Sequence, residues 1–179
     1  MKEKLAWLAG LIDGEGCFTV GVHQNYKKSL TFQPVFTIDM IEGDWHIKVV
    51  NILKENNIRF NSFICKRQGS YQIRRIVIQS RECIVRLCNL LLPFSLIKTD
   101  QIKLFSKTPI GRQIILQHDN RWHKKLTGIN WGVVNNWVNF IEKSRTLNAG
   151  HKSSVWWTKD RILNFYQIIA RENNIHASK

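Results

Sequence analysis

The sequence predicts an α+β fold: an αββαββα core with an antiparallel sheet, followed by a helical C-terminal extension. Three observations support this prediction. Apolar residues recur at helical spacing over residues 3–14, two pairs of alternating segments follow, and helical spacing returns from residue 131 onward. The length of 179 residues suits a single domain, with its core over about 3–107 and a basic extension over about 108–179.

The first helix and hairpin follow from a change in the period of the apolar residues. Residues 3–14 carry apolar side chains on more than one side, as in a helix that is buried on two sides. Residues 17–24 and 30–40 then alternate, and the polar segment 25–29 between them predicts a turn. The side chains expected to face the core from this hairpin are Phe18, Val20, Val22, Phe32, Phe36 and Ile38.

Capping and turn residues predict the remaining elements of the core. Asp44 precedes a helical pattern, and Ser80 precedes another that Pro93 ends. Between these helices lies a second pair of alternating segments, which turns at Gly69. The predicted ranges are 44–56 and 80–92 for the helices, 59–66 and 71–79 for the strands, and 96–107 for a closing helix.

The C-terminal extension combines a basic connection with two helices. Residues 108–129 show no strand pattern and are interpreted as the connection. Apolar residues at helical spacing over 131–141 predict the first helix, and Thr158 is expected to cap the second. A small, polar linker over 148–154 separates the two helices.

Charge is the strongest global signal. Lys and Arg number 27 against 13 Asp and Glu, which gives a formal net charge of +14. Such a balance predicts a polyanionic partner. Because no apolar run approaches the roughly 20 residues of a membrane span, no membrane partner is expected. Nucleic acid is therefore the expected partner.

The cysteines bear on the compartment. Cys17, Cys65, Cys83 and Cys88 lack the paired spacing of a zinc knuckle and are too sparse for a secreted disulfide scaffold. Each lies in an apolar stretch, so we expect buried, reduced thiols. Together with an N-terminus that shows no signal-peptide pattern, this predicts an intracellular protein. The abundance of Ile, Asn and Lys further favours an organelle, mitochondrion or chloroplast.

The chemistry is expected at the end of the first helix, in the segment Leu8-Ala9-Gly10-Leu11-Ile12-Asp13-Gly14-Glu15-Gly16. Gly10 and Gly14 share one helical face, where a second helix can approach closely. Asp13 and Glu15 are two residues apart, so they point in different directions and should do different jobs. If two such helices pack together, their end carboxylates meet, and like charges at short range require cations between them. Paired carboxylates with divalent metals form the usual site of two-metal phosphodiester cleavage.

This segment resembles the signature of the LAGLIDADG homing endonucleases at seven of nine positions, and Gly14 and Glu15 are common variants there. The order of elements over residues 3–107 resembles the family's core. The resemblance implies an intron-encoded, site-specific endonuclease that cuts both strands of a long, nearly palindromic DNA target. It implies Mg²⁺ or Mn²⁺ as cofactor, with Ca²⁺ binding without supporting cleavage. Because the chain carries a single motif, a homodimer is implied.

The resemblance also assigns roles to individual residues. Glu15 takes the position of the catalytic, metal-binding acid, and the carbonyl group of Gly14 that of a backbone metal ligand. Asp13 is expected to cap a helix, and Lys98 falls on the position of the active-site lysine. The residues expected at the interface between the two motif helices are Leu8, Ala9, Gly10 and Asp13.

One departure concerns the end of the second strand, where the family often has a polar residue that orders water around the metals. The nearest matches are Asp39 and Met40. A methionine side chain cannot order water in this way, whereas Asp39 can. The sequence leaves open whether Asp39 does so or the water network is rebuilt.

The strands are expected to read DNA, since antiparallel strands offer alternate side chains to the major groove. The expected DNA-binding residues of the first hairpin are Thr19, His23, Lys28, Thr31, Gln33 and Thr37. Those of the second hairpin are Lys66, Arg67, Gln72 and Arg74. Which of Arg74 and Arg75 faces DNA depends on the strand register, which stays open.

Two other functions compete with the endonuclease. An RNA-binding maturase is one, since some relatives assist intron splicing, and intron RNA is then a partner. A non-cutting regulator on the same fold is the other. Glu15 argues against the regulator, because a pure binder has no need of an acid that faces the DNA backbone. The maturase is separated by assay: RNA binding against metal-dependent cleavage of duplex DNA.

Overall fold

The computed structural model describes residues 2–25, 29–41, 43–66, 72–110, 114–120, 123–148, 157–173 and 175. The side chains of Asn25, Lys66 and residues 115–120 and 123–127 lie outside this description, as do the predicted turn at Gly69 and most of the linker 148–154. Two compact units group Met1–Val20 with Gln33–Thr108, and Gly21–Phe32 with Pro109–Lys179.

The predicted order of the core elements is confirmed. In chain order the described elements are α1 (Lys2–Glu15), β1 (Gly16–Asn25), β2 (Ser29–Ile41), α2 (Trp45–Glu55), β3 (Asn61–Lys66), β4 (Gln72–Ile78), α3 (Arg81–Leu91), α4 (Thr99–Ser106), β5 (Ile115–Asn120), β6 (His123–Ile129), α5 (Trp131–Leu147) and α6 (Lys159–Glu172). No helix among the described residues is long and apolar enough to cross a membrane.

The first four strands form one sheet in the order β1-β2-β4-β3. β2 and β4 pair antiparallel, from Phe36 opposite Ile78 to Ile41 opposite Ile73. In the first unit Phe18 packs against Phe36 and Phe105, with ring centroids 4.7 and 5.1 Å apart. Phe36 and Ile38 are fully buried, as the alternation in β2 predicts.

Two helix starts in the first unit differ in how they are capped. Ser80 caps α3 as predicted, because its hydroxyl accepts a hydrogen bond from the backbone N–H of Cys83. Asp44 stands at the predicted cap of α2, but its side chain makes no capping hydrogen bond. α4 begins at Thr99, three residues later than predicted.

The second unit corrects the prediction of an all-helical extension. The predicted basic connection contains an antiparallel hairpin, β5 with β6. Its polar strands carry a register shift between Leu116 and Gln117, which breaks the alternation that reveals a strand. The two predicted helices are confirmed as α5 and α6, and Thr158 caps α6 through its side chain.

The four cysteines are all free thiols. Cys83 and Cys88 are buried as predicted, and burial raises the pKa of Cys88 to about 12. Cys17 and Cys65 are half-buried, so the expectation of burial is wrong for these two.

Candidate active site and nucleic-acid interface

Gly16 sets the junction between α1 and β1. A Cβ atom at this position would lie 2.8 Å from both Cγ2 and the carbonyl oxygen of Ile12, and 3.0 Å from Cε2 of Phe36. Since no real side chain tolerates such distances, the chain passes here only as glycine. α1 therefore gives way directly to β1, with Glu15 as the last residue of the helix.

Asp13 is the buried acid of the motif. Its carboxylate accepts hydrogen bonds from the Ser95 hydroxyl at 2.6 Å and from the backbone N–H groups of Leu96 at 2.7 Å, Ile97 at 3.1 Å and Lys98 at 3.0 Å. Burial alone raises the pKa of the carboxyl group, but these four hydrogen bonds outweigh it and hold the pKa below the ordinary value. Asp13 was expected to cap a helix. The backbone N–H groups that it binds belong to residues 96–98, which precede α4, so it holds the turn that leads into the helix.

Lys98 lies beside the C-terminal end of α1. Its ammonium group donates a hydrogen bond to the carbonyl oxygen of Asp13. The C-terminal end of a helix favours a cation, because its unpaired carbonyl groups carry partial negative charge. The structure thus brings the predicted lysine to the helix end that carries the predicted acid, Glu15.

Glu15 is the exposed acid of the motif. Within the described ranges its carboxylate makes no hydrogen bond and no ion pair. Carboxylate and backbone carbonyl oxygens, as Glu15 and Gly14 offer them, are the ligands that Mg²⁺ prefers. No group of three or more His, Cys, Asp or Glu side chains that could hold a metal occurs among the described residues. The donors of Glu15 and Gly14 therefore fit Mg²⁺ but form only part of its ligand set.

Asp39 lies on the face of β2 opposite that of Ile38 and Met40. Arg75 binds its carboxylate through Nε at 2.6 Å from Oδ1 and through Nη2 to Oδ2. This hydrogen bonding raises the pKa of Arg75. Of the two candidates for ordering water, Asp39 is therefore the polar one, and the guanidinium group of Arg75 fixes its position. Met40 lies on the same face of β2 as the core residue Ile38.

Cys17 links Asp39 to Lys98 electrostatically. Burial raises the pKa of the Cys17 thiol, the charge of Lys98 lowers it, and the charge of Asp39 raises it further. Both charges therefore act on the start of β1, two residues after Glu15. The carboxylate of Asp39, which Arg75 binds, and the ammonium group of Lys98, which binds Asp13, therefore both lie near the end of α1 that carries Glu15.

The first hairpin presents the predicted set of polar side chains. Thr19, His23 and Thr31 are exposed, and Gln33 and Thr37 are half-exposed. They alternate with core residues such as Phe18, Phe32 and Phe36. Lys28 lies outside the described residues.

The register of the second hairpin settles the faces of Arg74 and Arg75. Arg75 pairs with Asp39 of β2 and with Phe63 of β3, so it shares the face of Asp39. Arg74 pairs with Met40 and with Ile64, and Gln72, two residues before Arg74 on β4, lies on the same face as Arg74. Arg74 and Gln72 therefore lie on the face of Met40 and Ile38, so the register places both of these predicted DNA-binding residues on the face opposite that of Asp39. Lys66 ends β3 without a described side chain, and Arg67 lies outside the described residues.

The exposed face of α1 also differs from the prediction. Leu8 and Ala9 are 1% and 0% exposed, so they pack inside this chain and cannot form the surface that meets a second helix. Gly10 and Gly14 are exposed, and a Cβ atom at either would meet nothing within 4 Å. Trp7 is 38% exposed on the same helix. The sequence predicted the face of Gly10 and Gly14 but wrongly added Leu8 and Ala9 to it, because both sides of α1 carry apolar residues.

Comparison with known sequences identifies an endonuclease. A family model described as LAGLIDADG endonuclease matches residues 8–107, which include the C-terminal half of α1, both core hairpins and the contact between Asp13 and Lys98. The chain belongs to this family. No curated protein sequence matches it.

Solved structures share the fold. I-CvuI, in complex with the I-CreI target, superposes with a TM-score of 0.66 at 17% identity, over 94% of this chain and 96% of that one. The archaeal intron-encoded enzyme I-Vdi141I, complexed with DNA, gives 0.58 at 18% identity, over 93% and 96%. The group I intron-encoded enzyme I-CeuI, complexed with DNA, gives 0.61 at 14% identity, over 92% and 76%. At these identities the likeness shows the fold.

Proposed function

We propose that this protein is an intron-encoded homing endonuclease that acts as a homodimer. It cuts both strands of a long, nearly palindromic DNA target with a divalent metal. The proposal depends on the different environments of the two acids of the motif. The carboxylate of Asp13 accepts four hydrogen bonds inside the fold, whereas Glu15 is exposed at the end of α1. Because the carboxylate of Glu15 is exposed and makes no hydrogen bond with the described residues, it is available to bind a metal ion.

Glu15 and the carbonyl group of Gly14 would hold Mg²⁺ or Mn²⁺, together with oxygens of the DNA backbone and of a second copy. A bound divalent metal supplies an activated water and stabilises the leaving oxygen. The ammonium group of Lys98 stabilises the negative charge that develops on the phosphate. Structures of I-CvuI on DNA at 2 mM Mg and at 2 mM Ca support the choice of metal, and we expect Ca²⁺ to bind here without supporting cleavage.

The homodimer is supported by the glycines of α1. A glycine in a helix costs up to about 1 kcal/mol relative to alanine, and no contact with the described residues requires Gly10 or Gly14. Close approach of a second helix does require them. Leu96 and Ile97, which are 88% and 79% exposed, adjoin the same end of α1 through their bonds to Asp13, and add apolar surface for a partner.

The DNA partner is supported by the net charge of +14 and by the polar face of the antiparallel sheet. The strands of the first hairpin hold Thr19, His23 and Thr31 exposed between buried apolar residues. Alternation of this kind suits reading of base edges in the major groove. Solved relatives of the fold bind DNA, which agrees with this assignment.

The proposal is tested by magnesium-dependent cleavage of a library of nearly palindromic duplexes that includes intron-insertion junctions. Wild-type protein is expected to cut both strands of a subset, and Glu15→Gln to bind the same subset and cut neither strand. Glu3→Gln, which alters another exposed acid on α1, is the matched control and should cut normally. Cleavage by Glu15→Gln at the normal rate, or preferential binding of intron RNA over duplex DNA, would overturn the proposal.

The dimer is tested by sedimentation of the free protein. Gly10→Leu places a large side chain on the exposed face of α1, so we expect a folded monomer with weak affinity for DNA. Gln167→Leu adds the same side chain at an exposed position on α6 and serves as the control. A wild-type protein that is monomeric when bound to DNA and cuts both strands would contradict the dimer.

A further inference from the structure

The distal half of the first hairpin, Gly21–Phe32, belongs to the second unit together with the C-terminal residues. Leu30 and Phe32 are 4% and 9% exposed, and Thr31 between them is exposed. One side of this strand segment is therefore packed inside the second unit, and the other side carries a predicted DNA-binding residue outward.

Tyr166 of α6 binds the backbone of this segment. Its hydroxyl group accepts a hydrogen bond from the N–H of Leu30 at 3.2 Å and donates one to the carbonyl oxygen of the same residue at 3.3 Å. The N–H and C=O groups of one strand residue point to the same edge, where a neighbouring strand would bind them. Among the described residues β4 pairs with β2 over Phe36–Ile41, so Leu30 lies outside that pairing, and the Tyr166 hydroxyl binds both of its backbone groups.

The hydroxyl of Tyr166 suits this task because it stays neutral. Burial raises the pKa of Tyr166 to about 12, and the hydrogen bond from Leu30 lowers it in part. A neutral phenol can donate and accept at once, whereas a phenolate could not donate. The residue is fully buried, so water does not compete for the two backbone groups.

Trp137 of α5 packs against Phe32, the next buried residue of the strand after Leu30. Its ring stacks on that of Phe32, with centroids 5.5 Å apart and an interplanar angle of 22°. Trp137 in turn meets the edge of Phe140 at 5.8 Å. Backbone and side-chain contacts on two alternate residues, Leu30 and Phe32, thus fix the strand on either side of Thr31.

We propose that Tyr166 and Trp137 are positioning residues that hold the distal half of the first hairpin for sequence reading. The proposal rests on the proposed function, since Thr31 acts here as a reader of DNA. Thr31 precedes Asp39 on the same strand by eight residues, a contour of about 26 Å. The base pairs that the distal half would read are called the outer base pairs, and those next to the cleavage site the inner base pairs.

Amide hydrogen exchange tests the mechanical part without DNA. Tyr166→Phe removes the hydroxyl and keeps the ring, so we expect exchange at the Leu30 amide to be about tenfold faster. Amides of residues 36–41, which pair with β4, should keep their rates. Ile162→Val, at another fully buried position of α6, is the control for a general loss of stability and should not single out Leu30. Unchanged exchange at Leu30 in Tyr166→Phe would overturn the proposal.

Base preference tests the functional part. Cleavage of the duplex library should show preferences at the outer base pairs relaxed by about tenfold in Tyr166→Phe and in Trp137→Leu, with those at the inner base pairs retained. An equal loss of preference at outer and inner base pairs would overturn a positioning role, because a general loss of stability would produce the same result. Ile162→Val is the control for such a loss of stability. If the wild-type protein shows no base preference, the proposed function fails and the reading role with it. Exchange at Leu30 would then still decide whether Tyr166 fixes the strand.

Discussion

Lys98 binds Asp13 twice: its backbone N–H donates to Oδ1 at 3.0 Å, and its ammonium group donates to the backbone carbonyl oxygen. The first bond belongs to the start of α4 and the second to the end of α1. One aspartate therefore fixes both the backbone and the charged end of the lysine. Because Glu15 follows Asp13 by two residues, the same contact determines where the lysine stands relative to Glu15, the proposed metal-binding acid.

Asp13→Asn should destabilise the fold in a pH-dependent way. The pKa of Asp13 is lowered on folding, so its stabilising contribution is present above the unfolded value of about 3.9 and is lost as the pH falls through the folded value. At pH 7 we expect a loss on the order of 3 kcal/mol, because a carboxylate bound by four donors is replaced by an amide. Denaturant titrations at a series of pH values measure this difference.

The difference between wild type and Asp13→Asn should shrink steadily below pH 4. Asp100→Asn is the control, since Asp100 is exposed in the first turn of α4 and lies 3.8 Å from Lys103. It should change stability by no more than about 0.5 kcal/mol. A pH-independent effect of Asp13→Asn would contradict the role of its charge.

Lys98→Ala should slow cleavage far more than it weakens binding. Loss of one positive group that stabilises the transition state should cost on the order of 3 kcal/mol of barrier, roughly a hundredfold in rate. Single-turnover cleavage at saturating protein measures this step. Lys103→Ala, on the exposed side of the same helix, removes an equal charge and should cut at the normal rate. Equal rates for the two variants would disprove the assignment of Lys98.

The different jobs of Asp13 and Glu15 could be predicted from sequence because they depend on local geometry. Two residues apart on a helix, the side chains cannot share one direction, and the structure buries one and exposes the other. Capping by Ser80 and Thr158 was predictable for the same reason, since each bond joins residues three apart. Local rules of this kind need no knowledge of the tertiary fold.

Features that depend on tertiary contacts were not predictable. Arg74 and Arg75 are neighbours, and only the pairing of β4 with β2 decides which of them meets Asp39. Leu8 and Ala9 are apolar like Trp7, and periodicity cannot tell the side of α1 that meets its own core from the side that meets another chain. The β5–β6 hairpin escaped detection because its polar strands and register shift hide the alternation.

Gly16→Ala should destabilise the protein, and Gly10→Ala should not. The added methyl group at Gly16 would overlap backbone as well as side-chain atoms of Ile12, and such overpacking costs about 1–3 kcal/mol. At Gly10 the space is open, so alanine should stabilise the isolated chain by up to about 1 kcal/mol. Thermal or denaturant unfolding at high dilution compares the two. Equal destabilisation by Gly16→Ala and Gly10→Ala would show that the α1–β1 junction has no special steric need for glycine.

Binding to duplex DNA should depend strongly on salt. Neutralised phosphates release counterions, so if each protomer contacts several of them the log–log slope should be roughly −6 or steeper for the dimer. Lys28→Ala should weaken all sequences alike and make the slope less steep by about one. Binding isotherms over a range of potassium chloride concentrations supply the slope. A flat response would remove the DNA-binding assignment.

Arg75→Ala should relax base preference, whereas Arg74→Ala should not. A guanidinium has five N–H donors, and the two bonds to Asp39 leave three that can reach a base edge. Loss of a good bidentate contact should cost about 1–3 kcal/mol of discrimination at one base pair. Arg74 lies on the other face of β4, so its removal changes the net charge equally without removing a reader.

The comparison of Arg74 with Arg75 separates charge from recognition. Each variant loses one positive charge, so a loss of long-range electrostatic attraction alone should affect the two equally. Only Arg75→Ala should alter the base preferences obtained from the duplex library. Because Arg75 also fixes Asp39, its loss should slow cleavage in addition, and Asp39→Asn, which removes the charge that holds the guanidinium, should reproduce part of both effects. Base preference that changes in Arg74→Ala and persists in Arg75→Ala would show that the opposite face of the sheet reads the DNA.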